Sequence, residues 1–418
     1  MSSILHRISR RPFLGLRHAP IFTNKLEFFR EGIAQFPIFR VLDPRGNFDE
    51  AAQLVSPSEA RLDFGSLRDP KSAIAAFDLM VTISAYDSVL YEVQRQGRIS
   101  FYMQNSGEEG LQIASAAALE PVDLIWPQYR ELGVFLYRGF TAQMVTDQCA
   151  SVSDEVGRGR QMPVHYCFPD GNIQAVTSPI ATQLPQAAGA GYSFRLDKEA
   201  AGNSSASRVS VAYFGEGASS EGDFAVALNF AAVLKSQAIF ICRNNGYAIS
   251  TPANEQFASD GVAPRGPAYG VATARVDGND VFAVYAAVRE ARRIAVSEGP
   301  VLLELMTYRR GHHSTSDDAT RYRPKDEEAE YDSPIQRFGA YLQSAGLIDK
   351  GREDQVRKEK KTEILNALKK SESKKRGKIA DMFKDVYAEI PWHLQEQYEE
   401  LKEVVKKGGF DMDKYEGL

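Results

Sequence analysis

Apolar and polar positions along this chain fall into two periods. Within residues 72–96, Ile74, Phe77 and Val81, then Ile83, Tyr86, Leu90 and Val93, recur at three- and four-residue spacing. That spacing predicts a long helix with a buried stripe, and Gly97 is placed to end it. Further along, residues 209–214, 238–242 and 301–306 are short continuous apolar runs separated by longer segments. Runs of that length predict strands buried on both faces of a parallel sheet. Asp280 sits where it would cap a helix running to Glu298, which Gly299 and Pro300 would stop. Strands alternating with helices in this way argue for an α/β fold, a parallel sheet flanked by helices.

The segments between these blocks are polar or punctuated by glycine and proline. FPIFRVLDPRGNF, within residues 26–71, predicts an extended arm or short hairpin around a Pro-Arg-Gly turn. RISFYMQNSGEEG at 98–110 opens onto a small-residue helix at 111–119, with Glu108 and Glu109 where its first turn would favour negative charge. Arg130 follows Trp126-Pro127-Gln128-Tyr129 and suits a phosphate contact. GRGRQMPVHY at 157–166 is a basic, glycine-containing loop. In AVTSPIATQLPQ a helix is predicted to begin at Ser178, with Pro179 in its first position. AAGAGY then lacks bulk, which predicts a close backbone approach. Residues 72–346 make the α/β domain. Beyond it, 347–418 read as a charged helical tail: a solvated helix rich in Lys and Arg near 357–378, then a docking segment with Trp392 and Tyr398 as anchors.

Composition narrows the class. Of 418 residues, 43% are apolar and 25% charged, with a formal net charge of -5. This is the profile of a globular protein and gives no reason to expect a nucleic-acid partner. No apolar run approaches the length expected of a membrane span. The three cysteines, Cys149, Cys167 and Cys242, show no paired spacing, which argues against a disulfide framework or zinc cage. The first 25 residues differ from the rest. Arg7, Arg10, Arg11, Arg17 and Lys25 occur among serines, with no acid before Glu27. That pattern predicts an organellar transit peptide at 1–25.

The candidate chemistry centres on RVSVAYFGEGASSEGD and the following ICRNNGYAIS. The first strand ends in Gly215-Glu216-Gly217 and the second in Asn244-Asn245-Gly246-Tyr247. Ligands of open parallel sheets sit at the carboxyl ends of strands. One carboxylate (Glu216), one amide oxygen (Asn245) and the Tyr247 carbonyl suit magnesium bridging a diphosphate. A plain turn before a buried helix has the same outline; the further acids Glu221 and Asp223 and the paired asparagines favour a ligand site. No GKS or GKT follows, and the third glycine of a dinucleotide fingerprint is missing. The diphosphate would be met by the backbone N–H groups of Gly217 and Ala218 and by Arg130, Arg243 and Arg309. After the strand at 301–306 comes TYRRGHHSTSDD. His312 and His313 read first as core or surface histidines, and adjacent histidines rarely converge on one metal; a histidine at a strand end, flanked by Arg309 and Gly311, also suits proton transfer or anion contact. A phosphate on the Ser314-Thr315-Ser316 cluster would repel a neighbouring diphosphate.

The stretches RQGRISFYM, GRQMPVHY, SPIATQLPQAAGA, YFGEGASSEGD, CRNNGYAISTP, RVDGNDVFAVY and TYRRGHHSTSDD make the chain resemble a known family. It is the family of alpha subunits of the decarboxylase component of mitochondrial branched-chain 2-oxo acid dehydrogenases. GEGA followed by NN resembles the thiamine-diphosphate signature, with Glu216 where many members carry aspartate. The resemblance implies the thiamine-diphosphate-binding fold and oxidative decarboxylation of branched-chain 2-oxo acids, with acyl transfer to a lipoyl group. It implies magnesium on Glu216, Asn245 and Tyr247, and cofactor contacts from Tyr129, Arg130, Ser178, Gly217, Ala218, Arg243 and His313, the last also catalytic. It implies potassium on Thr177, Pro179, Thr182 and Gln183, with Thr177 standing where relatives have serine. Ser314 would be the regulatory phosphorylation site, and Pro324 stands where a second regulatory serine falls in animal relatives. Implied partners are a beta subunit in an alpha2beta2 heterotetramer, a lipoyl-bearing acyltransferase core, and a regulatory kinase and phosphatase in the mitochondrial matrix. The chain has no second, pyrimidine-binding domain, so it is expected to be inactive alone. A pyruvate-type subunit, a non-catalytic thiamine-diphosphate binder and a magnesium-dependent nucleotide-binding module remain alternatives at this stage.

Overall fold

The three apolar runs form the centre of a six-stranded sheet because each is buried on both sides. In the computed structural model, which describes residues 35–52, 62–202, 207–324, 327–330, 332–384, 386–408 and 411–418, the strands are β1 (Ile38–Phe39), β2 (Leu124–Trp126), β3 (Ser210–Gly215), β4 (Ala238–Asn244), β5 (Tyr247–Ala248), β6 (Thr251–Pro252), β7 (Ala272–Asp277) and β8 (Val301–Met306). The sheet order is β1-β7-β8-β4-β3-β2, and every pair in it is parallel. β5 and β6 make a separate antiparallel hairpin. The expected transit peptide at 1–25 lies outside the described residues.

Side chains alternate between two cores, as the two-residue period of a strand requires. Val211, Tyr213, Ile239, Ile241, Leu303 and Leu305 face the core shared with the helices Pro70–Arg95, Glu109–Ala118 and Val281–Ser297. Ala212, Phe214, Phe240, Cys242 and Leu302 face the core shared with the small-residue helices Gln183–Ala200 and Gly222–Val233. The expected α/β layering is therefore present. Register aligns the strand ends: Gly215 pairs with Arg243, and both Asn244 and Asp277 pair with Met306. That alignment brings the loops after β3, β4 and β8 to one edge of the sheet.

The arm resolves into both of its expected forms. β1 adds a parallel edge strand beside β7, and a bridge between Leu42 and Phe48 closes the turn that follows. Asp280 caps its helix as expected, Oδ1 accepting from Phe282 N and Ala283 N at 3.0 and 3.1 Å. Its Oδ2 also accepts from Val41 N and Leu42 N, which fastens the arm to the same helix.

Three expectations change. The helix predicted from Ser178 begins at Gln183 instead. Ala181 takes a left-handed φ of 70°, and hydrogen bonds to Ser178, Pro179 and Thr182 hold 177–182 as a loop, overriding the helix-start signal of Pro179. Among the described residues one helix, Pro70–Arg95, is long and apolar enough to cross a bilayer, contrary to the expectation from the sequence. However, 67% of its most apolar window is buried, as in a core helix. The charged helix Arg352–Glu372 is solvated on one side only; Val356, Ile364 and Leu368 join the main core.

Glu109 gives the fold a measurable pH dependence. It is buried, its Oε2 accepts from Gly107 N at 3.0 Å, and burial first, then nearby Asp87 and Glu108, push its pKa up to about 8. A raised carboxyl contributes stability that is present below its usual range near 4.5 and lost as pH rises through about 8. Glu109→Gln keeps the acceptor for Gly107. Chemical denaturation from pH 5 to 8.5 should show stability of the variant falling less steeply than that of the wild type.

Candidate active site

The loops at the carboxyl ends of β2, β3, β4 and β8 enclose a cavity of about 290 Å³. Its wall includes Tyr129, Arg130, Ser178, Glu216, Gly217, Ala218, Arg243, Asn245, Tyr247 and His313, with Arg309 and Gln128. Residues that the sequence spreads over almost 190 positions thus meet at one place. Glu216 opens the 3-10 turn after β3. It is 1% exposed and its Oε1 has no hydrogen-bond partner. Burial, then the neighbouring Glu108, push its pKa up to about 6. Among the described residues it is the only carboxylate lining the cavity. Gly217 is required next to it, because a Cβ there would come within 2.6 Å of Ala248 Cβ on the β5 hairpin.

Arg243, the penultimate residue of β4, lies between two buried carboxylates. Its Nη1 donates to Glu108 Oε2 at 2.8 Å and its Nε to Glu131 Oε1, while its buried Nη2 has no partner. Burial lowers its pKa, and Glu131 and Glu108 more than reverse this, so it is fixed as a cation. An orphaned carboxylate oxygen and an orphaned guanidinium arm in the same cavity wall fit a ligand carrying both a cation and an anion. Asn245 Oδ1 accepts from Tyr247 N at 3.2 Å, and its Nδ2 donates to Glu108 Oε1 at 2.7 Å.

His313 is held between two guanidinium groups. Arg130 Nη2 lies 3.4 Å and Arg309 Nη1 3.3 Å from its Nδ1, and Arg130 Nη2 also donates to His313 O at 2.9 Å. Guanidinium only donates, so Nδ1 is an acceptor and the ring proton resides on Nε2. Burial, then Arg130 and Arg309, pull the His313 pKa down to about 3, so the ring is neutral across the physiological range. Tyr129 packs edge-on against it at 6.0 Å.

Residues 77–380 match the dehydrogenase E1 component family. The chain belongs to that family. It is 46% identical over 93% of its length to a mitochondrial 2-oxoisovalerate dehydrogenase subunit alpha of Caenorhabditis elegans, covering 87% of that protein. The human 2-oxoisovalerate dehydrogenase subunit alpha, also mitochondrial, is 46% identical over 91% of this chain, with 82% of it covered. An alpha 1 subunit of the same name from Arabidopsis thaliana is 45% identical over 92% of the chain, with 79% covered. Relatives at this level share the enzyme class, an E1 dehydrogenase component.

The remaining expected residues fall outside the E1 cavity wall. Thr177 Oγ1 and Thr182 Oγ1 are 3.0 Å apart, and they lie 3.3 and 3.1 Å from Pro179 O. Gln183 Nε2 donates to Tyr213 O at 2.9 Å, and its buried Oε1 has no partner. This oxygen-rich turn lies behind Ser178. Among the described residues no cluster of three His, Cys, Asp or Glu could hold a metal, so any cation here is held by mixed oxygens. Ser314 follows His313, is 8% exposed, and accepts from Ser316 N at 3.2 Å.

Sequence reasoning passed over three participants. His165 Nε2 lies 2.8 Å from Ser178 Oγ, and its Nδ1 is 3.1 Å from Pro163 O. A carbonyl only accepts, so Nδ1 carries the proton and Nε2 accepts from the serine hydroxyl when the ring is neutral. Gln128 Oε1 accepts from Gly215 N at 2.6 Å, tying the β2 loop to the Glu216 turn. Glu108 makes no cap bond to the helix it precedes and is wholly buried. The only local signal for these was position in a polar loop.

Proposed function

We propose that this chain is the diphosphate-binding alpha subunit of a branched-chain 2-oxo acid dehydrogenase E1 component, acting with thiamine diphosphate, magnesium and potassium. The observation carrying this reading is the pairing of Glu216 Oε1 and Arg243 Nη2, both buried and unpartnered, in the wall of one cavity. Glu216, Asn245 and the Tyr247 carbonyl would hold magnesium. Tyr129, Arg130, Ser178, Gly217, Ala218, Arg243 and His313 would hold the cofactor. Thiamine diphosphate, when bound, supplies the carbon nucleophile and electron sink for decarboxylating a 2-oxo acid. His313 remains neutral between Arg130 and Arg309 and can donate a hydrogen bond through Nε2. Arg243 and Arg130 bring positive charge, and burial of the wall strengthens it. Thr177, Pro179, Thr182 and Gln183 would take potassium and order the loop that presents Ser178.

Glu216 is committed to the cation, so the carboxylate that activates the cofactor's pyrimidine is assigned to a beta subunit, in an alpha2beta2 assembly. The acyl group passes to a lipoyl-bearing acyltransferase. The names of the relatives and the basic first 25 residues support a mitochondrial matrix location. Ser314, one residue from His313, is assigned to a kinase and a phosphatase: a phosphate there would add negative charge beside the cofactor's diphosphate. The assembled complex should favour 2-oxoisovalerate over pyruvate in kcat/KM by roughly tenfold or more. Equal or reversed preference would overturn the branched-chain assignment.

A further inference from the structure

Glu108 is a carboxylate for which the cofactor contacts give no role. Its oxygens are divided between two side chains at the carboxyl end of β4: Oε2 accepts from Arg243 Nη1 at 2.8 Å, and Oε1 accepts from Asn245 Nδ2 at 2.7 Å. Arg130 Nε lies 3.9 Å from Oε1. The side chain is 0% exposed, so water does not compete for these bonds. An amide has two chemically different ends, and only its nitrogen can donate to a carboxylate. The contact with Glu108 therefore decides which way Asn245 is turned. Its nitrogen faces Glu108, and its oxygen faces Tyr247 N, in the cavity wall shared with the unpartnered Glu216 Oε1. A hard cation needs that oxygen; an amide turned over would present hydrogens to it.

We propose that Glu108 is a positioning residue for the cation site, locking the amide of Asn245 with its oxygen toward the metal. Glu131 provides the internal comparison. It accepts from Arg243 Nε and from the backbone N–H groups of Gln128 and Arg130, and none of these bonds involves Asn245. The two carboxylates thus share an arginine, and only Glu108 touches the amide.

This inference rests on the reading that Glu216, Asn245 and Tyr247 hold magnesium. The test titrates thiamine diphosphate calorimetrically into the chain assembled with its beta subunit, across a series of magnesium concentrations. Glu108→Gln should raise the magnesium concentration for half-maximal binding by about 10–100-fold. Glu131→Gln should weaken cofactor binding while leaving that magnesium midpoint in place. Asn245→Asp alone sets two carboxylates against each other and should also bind poorly. Combined with Glu108→Gln it should recover most of the magnesium affinity, because an aspartate offers oxygen at both ends and the introduced glutamine can donate to it. If Glu108→Gln melts below the assay temperature, Glu108→Asp carries the test. It keeps the charge beside Arg243 and draws the carboxylate back from Asn245, so a smaller shift in the same direction is expected. An unchanged magnesium midpoint in the Glu108 variants, or a double variant as poor as Glu108→Gln, overturns the proposal. Absence of magnesium-dependent binding by the wild type overturns the cofactor reading, and this inference with it.

Discussion

Replacing Glu216 with alanine should reduce decarboxylation by the assembled complex by more than about a hundredfold, with little change in the melting temperature of the ligand-free protein. Both halves follow from the same atom. Glu216 Oε1 is buried and makes no hydrogen bond within the protein, so this oxygen of the carboxylate is removed without breaking a bond of the fold. Its burial without a partner is unfavourable for a charged group, as its raised pKa of about 6 reflects. A cation would supply the missing partner. Saturating thiamine diphosphate and magnesium should therefore stabilise the wild type strongly, by about 2.7 kcal/mol at a hundredfold excess over Kd. The same additions should leave Glu216→Ala almost unmoved. Paired melts with and without both ligands measure this directly. A variant that loses activity yet keeps the full ligand-induced shift would show that Glu216 does not bind the cation.

Arg243→Met should produce the largest loss of stability of any single change in the site, about 3–5 kcal/mol. Arg243 is 1% exposed and answers two carboxylates that are themselves wholly buried. Methionine fills much of the volume but leaves Glu108 and Glu131 without the guanidinium that each of them bonds. In the wild type, burial raises the Glu108 pKa, but Arg243 and then Arg130 outweigh it, and the net shift is downward. A lowered carboxyl contributes stability that is present above its usual range and lost as pH falls through its folded value. Without Arg243 the largest opposing influence is gone, so burial moves the Glu108 carboxyl upward relative to the wild type. The deficit of the variant should therefore shrink as the buffer is acidified from about pH 8 toward pH 5. Denaturant midpoints for both proteins across that range check the sign as well as the size.

The sheet and much of the site could be read from the chain because their signals are local. Residues 209–214, 238–242 and 301–306 are apolar throughout, and burial on both faces of a parallel strand demands that. Asp280 could be placed as a cap from its neighbours alone. Glu216, Asn245 and His313 each stand just past an apolar run, where strand ends put them on one edge. What stayed hidden depends on partners far apart in sequence. Glu108 meets Arg243 across 135 positions and Asn245 across 137, and nothing in GEEG distinguishes such a residue from an ordinary helix-terminus acid. His165 joins Ser178 only because the two loops are folded against each other. The helix misplaced at Ser178 shows the reverse conflict. Pro179 gives a genuine start signal, but bonds from Ser178 to His165 and between Thr177 and Thr182 outweigh it. β1 could be read as extended, yet its place at the sheet edge is fixed by β7 and by Asp280.

The central claim is that this chain carries one half of a thiamine-diphosphate site and that a beta subunit completes it. The decisive measurement is decarboxylation of 2-oxoisovalerate, with thiamine diphosphate and magnesium present, by the purified chain alone and by the chain assembled with a beta subunit. The chain alone should show no turnover above background, and the assembly full turnover. Equal turnover by the chain alone would contradict that claim.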